Sequence, residues 1–165
     1  MYLHYKTLTD SLDKIKLDIN YLSRVHINNP VSITTHSVIF QNNPKATILS
    51  PVEILAEKII ALIERTKARD VFDVHTLSQI NVYDTISKHE LRKNIVFHAA
   101  LHGLTNDDLI NSIQTITGLP YQAFKQDVQS TIRRNQGFFD ADTIKRNAAL
   151  FTGAIFTGIT NNESL

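Results

Sequence analysis

Four charged side chains lie close together near the middle of the sequence: Lys58, Arg65, Asp70 and Asp73. A lysine that faces a cleft can bind phosphate as a point charge, and Arg65 follows Lys58 two helical turns along. Asp70 and Asp73 are three residues apart, so both carboxylates can face one cleft if this stretch is helical. The chemistry open to such a group is the binding of a phosphorylated ligand.

Ordinary helix chemistry explains the same residues without a ligand. Lys58 could lay its alkyl chain along the edge of an apolar stripe and keep its ammonium group in water. Arg69 and Asp73 have the spacing of a surface ion pair, which is worth about 0.3–0.5 kcal/mol. Asp70 near a helix start suits the helix dipole. The residues alone leave both interpretations open.

Two further groups have a spacing that could bind a metal. His98 and His102 are four residues apart on a predicted helix, with no third ligand nearby in sequence. Asp140 and Asp142 form the only Asp-x-Asp sequence of the chain. We interpret the histidines as packing or surface residues, and the aspartates as an acidic helix start favoured by the dipole.

The composition is that of an ordinary globular protein, with 42% apolar and 20% charged residues. Seventeen basic and 16 acidic residues give a formal net charge of +1, so no overall basic field predicts nucleic-acid binding. The absence of cysteine excludes disulfides, thiolate nucleophiles and cysteine zinc sites. No apolar run is long enough to span a membrane, and the first residues do not resemble a secretory signal. We therefore expect a cytoplasmic location and no membrane partner.

Two helices must position the central charged group. Ser50 as N-cap, Pro51 at the first helical position and Glu53 at the third predict a helix start, and the helix runs to about Arg65. Its predicted buried stripe is Leu55, Ile59, Leu62 and Ile63, whereas Glu53, Glu57 and Glu64 are assigned to a solvated side. A second helix is predicted over 68–78.

Strands are predicted before this pair and helices after it. The expected strands cover 2–6, an alternating and therefore half-buried stretch at 14–22, 31–40 and 45–49. The expected helices cover 88–102, 105–117, 121–134 and 140–156. This order predicts an α+β fold, with an N-terminal α+β region at 1–83 and a helical C-terminal region at 84–160.

The central segment also resembles a known family. Residues 53–62 read E-I-L-A-E-K-I-I-A-L, followed by Arg65 and by R-D-V-F-D at 69–73. This pattern resembles the signature helix pair of the AbiEii/AbiGii-type nucleotidyltransferase toxins, which belong to the polymerase β-like superfamily. Residues 14–22 are similar to the strand that precedes this pair in the family, so the resemblance covers roughly 14–103. It implies that the region 1–83 contains a partial nucleotidyltransferase-like β-sheet.

The resemblance implies transfer of a nucleotide from an NTP to RNA with Mg²⁺. It implies that Lys58 contacts the triphosphate, with Arg65 and Asp70 as further nucleotide-binding residues, and that Asp73 supports catalysis. Asp18, on the preceding strand, matches a carboxylate that can act as a general base. An exposed strand face shared with Lys16 and Asn20 is the alternative for Asp18.

The sequence departs from the family pattern at its front. No Gly-Ser or Gly-Gly pair precedes Lys14, and no strand carries the Asp-x-Asp that holds the metal in the family. We expect activity only if a separate chain restores this missing half; the alternative is a catalytically dead remnant that binds a nucleotide or a protein. An uncovered sheet edge would favour self-association or an antitoxin partner.

Overall fold

The computed structural model describes residues 1–7, 9–19, 25–35, 43–80, 87–129 and 140–160. Four strands come first: β1 Tyr2–Lys6, β2 Leu12–Lys16, β3 Val31–Thr34 and β4 Lys45–Ile48. Six helices follow: α1 Pro51–Arg65, α2 Ala68–Ser78, α3 Lys88–His102, α4 Asn106–Gly118, α5 Tyr121–Gln129 and α6 Ala141–Thr160. This order confirms the predicted α+β class.

The helices share one hydrophobic core. Helix α1 packs against α2, α3 and α4, and α6 packs against α2, α3, α4 and α5. The largest side chains sealed in this core include Leu55, Ile59, Leu62, Ile95, Phe124 and Phe156. Because these residues come from most of the helices, the core fixes the orientation of α1 and α2.

Local sequence explains why α1 begins and ends where it does. The Ser50 hydroxyl accepts a hydrogen bond from the Glu53 amide at 3.4 Å, and Pro51 occupies the first turn, as predicted. Thr66 ends α1 in the left-handed region with φ 39°, and its amide donates to the Leu62 carbonyl. Helix α2 starts at Ala68, so α1 and α2 form a tight helical hairpin.

The strands form two separate hairpins. β1 pairs antiparallel with β2, joining Leu3 to Ile15 and Tyr5 to Asp13, and β3 pairs antiparallel with β4. Every residue of β1 and β2 is exposed. The helices therefore carry the core, and the first hairpin adds none of its own side chains to it.

Two strand predictions need correction. The stretch 14–22 is not a half-buried strand: β2 ends at Lys16, and Ile15 remains 51% exposed although it alternates with lysines. Alternation predicted a buried face, but no layer in the described residues covers that face. The predicted strand at 31–40 is confirmed over β3, and 36–40 lie outside the described residues, as do 20–22.

None of the helices in the described part of the chain is both long and apolar enough to cross a membrane.

Candidate functional site

An ion pair joins α1 to α2 at the centre of the predicted site. The Lys58 Nζ atom lies 2.7 Å from the Asp73 Oδ2 atom, a short charge-assisted hydrogen bond. The Lys58 side chain is 40% exposed and that of Asp73 is 32% exposed, so solvent reaches both groups. Asp73 thus pairs across the helical hairpin with Lys58, and not along its own helix with Arg69.

A second ion pair lies next to the turn between the two helices. Arg65 donates from Nε to Asp70 Oδ2 at 2.9 Å and from Nη2 to Asp70 Oδ1 at 2.8 Å. Asp70 is only 1% exposed, whereas the Arg65 side chain is 45% exposed. The hydrogen bond to Asp70 is the main reason that the pKa of Arg65 is raised. This two-point pair fastens the end of α1 to the start of α2.

Helical periodicity explains why these two pairs form side by side. Lys58 and Arg65 are seven residues apart on α1, so they lie on the same side of that helix. Asp70 and Asp73 are three residues apart on α2 and also share a side. The tight turn sets the two faces opposite each other. The structure therefore brings together four of the five residues predicted for the site.

Asp18 is the fifth predicted residue, and it lies elsewhere. It follows the end of β2, its side chain is 74% exposed, and its carboxylate lies 2.8 Å from Lys16 Nζ. Within the described residues it makes no hydrogen bond or ion pair with α1 or α2. The pairing with Lys16 matches the exposed-face alternative, and a catalytic role for Asp18 stays a prediction.

Glu53 is the residue that the sequence interpretation placed wrongly. It was assigned to the solvated side of α1, but it is completely buried. Its Oε1 atom accepts from the Ile27 amide at 3.2 Å and lies 3.3 Å from His26 Nδ1 and 3.5 Å from His98 Nε2. Its Oε2 atom has no hydrogen-bond partner among the described residues. Glu53 therefore attaches the segment before β3 to α1 and α3.

The signal that could have revealed this burial is the periodicity around Glu53. Ala56 and Ile60, three and seven residues further along α1, lie on its side of the helix and are both buried. Residue type alone suggested solvent, because glutamate is rarely buried without partners. The burial of Glu53 depends on two neighbours, His26 and His98, which are distant from it in sequence.

The two histidines with metal-ligand spacing do not converge. His98 is buried at the α1–α3 contact near Glu53, whereas His102 Nδ1 lies 2.7 Å from the exposed Glu64 carboxylate. This confirms their interpretation as packing and surface residues.

The Asp-x-Asp at the start of α6 has a capping role. Asp140 accepts from the amides of Asp142 and Thr143 at 3.1 and 3.2 Å. Hydrogen bonds from Thr143 are the main reason that the pKa of Asp140 is lowered. The interpretation as an acidic helix start is confirmed.

The described residues do not fit a magnesium site. Mg²⁺ needs several oxygen ligands around one point, and Asp70 is already held by Arg65 while Asp73 is held by Lys58. No group of three or more acidic or histidine side chains suited to a metal occurs in the described ranges. The Lys58–Asp73 pair instead presents an ammonium group that solvent reaches, next to a carboxylate that solvent also reaches.

A comparison with protein families gives one match. The model described as nucleotidyl transferase AbiEii toxin, type IV TA system, matches residues 1–150. The match extends on both sides beyond the stretch 14–103 that carries the resemblance in sequence. Neither the search of curated proteins nor the search of solved structures found a match.

Proposed function

Because the chain belongs to the AbiEii family of nucleotidyltransferase toxins, we propose that α1 and α2 supply the triphosphate-binding part of a nucleotidyl-transfer site. A family of toxin–antitoxin systems implies an antitoxin counterpart for the chain. In the proposed reaction a hydroxyl oxygen of RNA forms a bond to the α-phosphorus of an NTP, and the bond from that phosphorus to the pyrophosphate oxygen breaks. The hydroxyl proton passes to a carboxylate.

The observation that carries this proposal is the accessible Lys58 ammonium group at the centre of the family signature. An ammonium has three donors, and Lys58 uses one of them on Asp73. Its partial exposure leaves room for a phosphate oxygen to approach from solvent. Arg65 and Asp70 are committed to each other, so we propose that they support the nucleotide indirectly by fixing the angle between the two helices.

The candidate catalytic carboxylates are Asp73 and Asp18. Asp73 lies beside Lys58, whereas Asp18 would need the β1–β2 hairpin to approach the helix pair. Since the described residues do not fit Mg²⁺ and no predicted strand carries an Asp-x-Asp, we propose that a separate chain supplies the carboxylates that hold it. The chain would then transfer a nucleotide only in the presence of that missing part.

Nucleotide titration tests the phosphate role directly. The full chain, Lys58→Ala and the control Lys93→Ala would be titrated with ATP, GTP, CTP and UTP by calorimetry. Lys93 is an exposed lysine on α3, so its removal lowers the net charge equally without touching α1. We expect Lys58→Ala to weaken binding about ten- to hundredfold and Lys93→Ala to change it little, because a charged hydrogen bond is worth roughly 1.5–3 kcal/mol and each 1.4 kcal/mol is about tenfold in affinity. Equal affinities for wild type and Lys58→Ala would contradict the proposal.

A labelling assay tests the need for outside carboxylates. The chain alone would be incubated with Mg²⁺, a labelled NTP and bulk bacterial RNA, and incorporation would be measured. We expect none. Incorporation that disappears in Lys58→Ala would show that the metal-binding carboxylates are within this chain after all.

We also propose that the chain associates with a second copy through β1 and β2. Leu3, Tyr5 and Ile15 lie on one face of that hairpin and are all substantially exposed. A second copy related by a two-fold axis could pair one free strand edge with its own equivalent and cover this face at the same time. Sedimentation at micromolar concentration should therefore find a dimer, and Leu3→Lys should shift it to a monomer. A monomeric wild type would contradict this proposal.

A binding module without catalysis is the second candidate function. The observation in its favour is that no metal-ligand group occurs in the described residues. A chain that binds nucleotide through Lys58 but never labels RNA, even with the full set of cellular proteins added, would fit this alternative.

A further inference from the structure

The two ion pairs between α1 and α2 differ in how readily water or a ligand can replace one of the two partners. Asp70 is buried and held at two points, so removing Arg65 from it would leave an uncompensated charge inside the protein. Lys58 and Asp73 meet at a single point, and each is about one-third or more exposed. Water can replace either partner there, and exposed pairs of this kind contribute little to stability.

This difference has a consequence for an anionic ligand. A phosphate oxygen that approaches Lys58 meets the negative charge of Asp73 at the same atom, Nζ, because the Asp73 Oδ2 atom already lies 2.7 Å away. The carboxylate both competes for the ammonium protons and repels the incoming anion. The neighbouring Arg65 compensates only in part, since Asp70 already neutralises its charge and accepts from two of its five donors.

We propose that Asp73 masks Lys58: the ion pair between them is a self-inhibitory contact that a triphosphate must displace in order to bind. The proposal rests on the phosphate role of Lys58 and adds regulation to that site. In the resting chain the charge of Lys58 is neutralised within the protein. Weak anions such as single phosphates are then excluded, whereas a polyanion carries enough charge to displace the carboxylate.

The Arg65–Asp70 ion pair allows a ligand to displace Asp73 from Lys58 without unfolding of the chain. Because Arg65 and Asp70 hold the helix ends together, Asp73 can release Lys58 while α1 and α2 keep their spacing. Ile59, Val71 and Val74, which lie next to the pair in sequence, are fully buried and hold the two helices in place. Only two side chains need to move.

Titration with inorganic tripolyphosphate, without divalent metal, tests the mask. We expect Asp73→Asn to bind tripolyphosphate about three- to tenfold more tightly than wild type, because one repelling and competing charge is removed while the side-chain shape is kept. Asp73→Ser gives the same test if the asparagine variant folds poorly. Far-UV circular dichroism would establish that each variant is folded.

A matched control separates the local effect from net charge. Asp142 is exposed and lies 2.9 Å from Lys145 Nζ, so it also forms an acid–lysine pair, but at the start of α6. Asp142→Asn removes the same charge, and we expect it to leave tripolyphosphate affinity within about twofold, since exposed charges far from a site are largely screened.

The possible results distinguish the proposed masking of Lys58 by Asp73 from the proposed phosphate role of Lys58. Unchanged or weaker binding by Asp73→Asn, with Lys58→Ala still losing affinity, would overturn the mask and show that Asp73 positions Lys58. Unchanged binding by Lys58→Ala would overturn the phosphate site itself. Equal tightening by Asp73→Asn and Asp142→Asn would show a net-charge effect only, and would also overturn the mask.

Discussion

The α1–α2 pair and the β1–β2 hairpin both place apolar residues among charged ones at a regular spacing, yet these apolar residues meet opposite environments. On α1, Leu55, Ile59 and Leu62 are sealed by neighbouring helices. On the hairpin, Leu3 and Ile15 are about half exposed, and no described layer covers them. The comparison teaches that an apolar pattern shows which face can be buried, whereas the rest of the chain decides whether it is.

The two regions also treat charge differently. Between the helices each cation has a defined carboxylate, and one of these carboxylates is buried. On the hairpin Lys6 and Lys16 meet exposed aspartates, and Lys14 lies 5.0 Å above the ring of Tyr2. Charges on the helix pair are therefore held in fixed pairs between two elements, while those on the hairpin form exposed contacts that contribute little to stability.

Truncation of one apolar side chain in each region should give the largest difference in stability between the two regions. We expect Ile59→Ala to lower the free energy of unfolding by about 2–5 kcal/mol, because it leaves a cavity in the core. Ile15→Ala, made in the Leu3→Lys chain that we expect to be monomeric, should change it by less than about 0.5 kcal/mol, as surface substitutions usually do. Denaturant unfolding of both variants would measure this. Equal losses would mean that the hairpin is packed within a single chain.

Removal of each carboxylate between α1 and α2 should have an intermediate effect on stability, and it compares the two ion pairs directly. Asp70→Ala should cost about 2 kcal/mol, since it removes two charged hydrogen bonds from a buried position. Asp73→Ala should cost less than about 1 kcal/mol, as expected of an exposed pair. Thermal unfolding at fixed pH would show it. A larger loss of stability for Asp73→Ala than for Asp70→Ala would contradict the view that the Arg65–Asp70 pair is the more stabilising of the two.

The smallest effect is expected from pH. Burial lowers the pKa of His75 on α2, and its Nδ1 atom is buried with no hydrogen-bond partner in the described part of the chain. The unfolded chain then takes up a proton at the ordinary histidine pKa before the folded chain does, so His75 reduces stability as the pH falls below about 6.5. His75→Gln should lose less stability than wild type between pH 7.5 and 5. His4→Gln, exposed on β1, is the control and should follow wild type.

The sequence predicted the helical part of the fold well because its signals are local. Ser50 and Pro51 mark a helix start through their own backbone preferences, as predicted, and Gly103 ends α3 in the left-handed region with φ 68°. The predicted helices at 88–102 and 105–117 match α3 and α4 to within a residue. Such signals need no knowledge of distant parts of the chain.

The sequence predicted that four of the five candidate residues would lie together, and it predicted their geometry only in part. Spacing indicated that Lys58, Arg65, Asp70 and Asp73 could face one side, but not which cation pairs with which carboxylate. That pairing follows from the tight turn at Thr66, which sets the two helices in register. The position of Asp18 could not be predicted, because it depends on how the hairpin lies relative to the helices.

Glu53 illustrates what local signals miss, and it also constrains the order of folding. Its carboxylate contacts Ile27 on one side and His98 on the other, so three stretches far apart in sequence must assemble around a single charge. Each loop that closes costs entropy before the contact contributes anything. We expect α1 and α2 to form first and the 25–30 segment to dock late. Folding and unfolding rates of Glu53→Gln would show this as a faster unfolding rate with an unchanged folding rate. A chain assembled in this order would complete its α1–α2 hairpin well before its N-terminal segment docks.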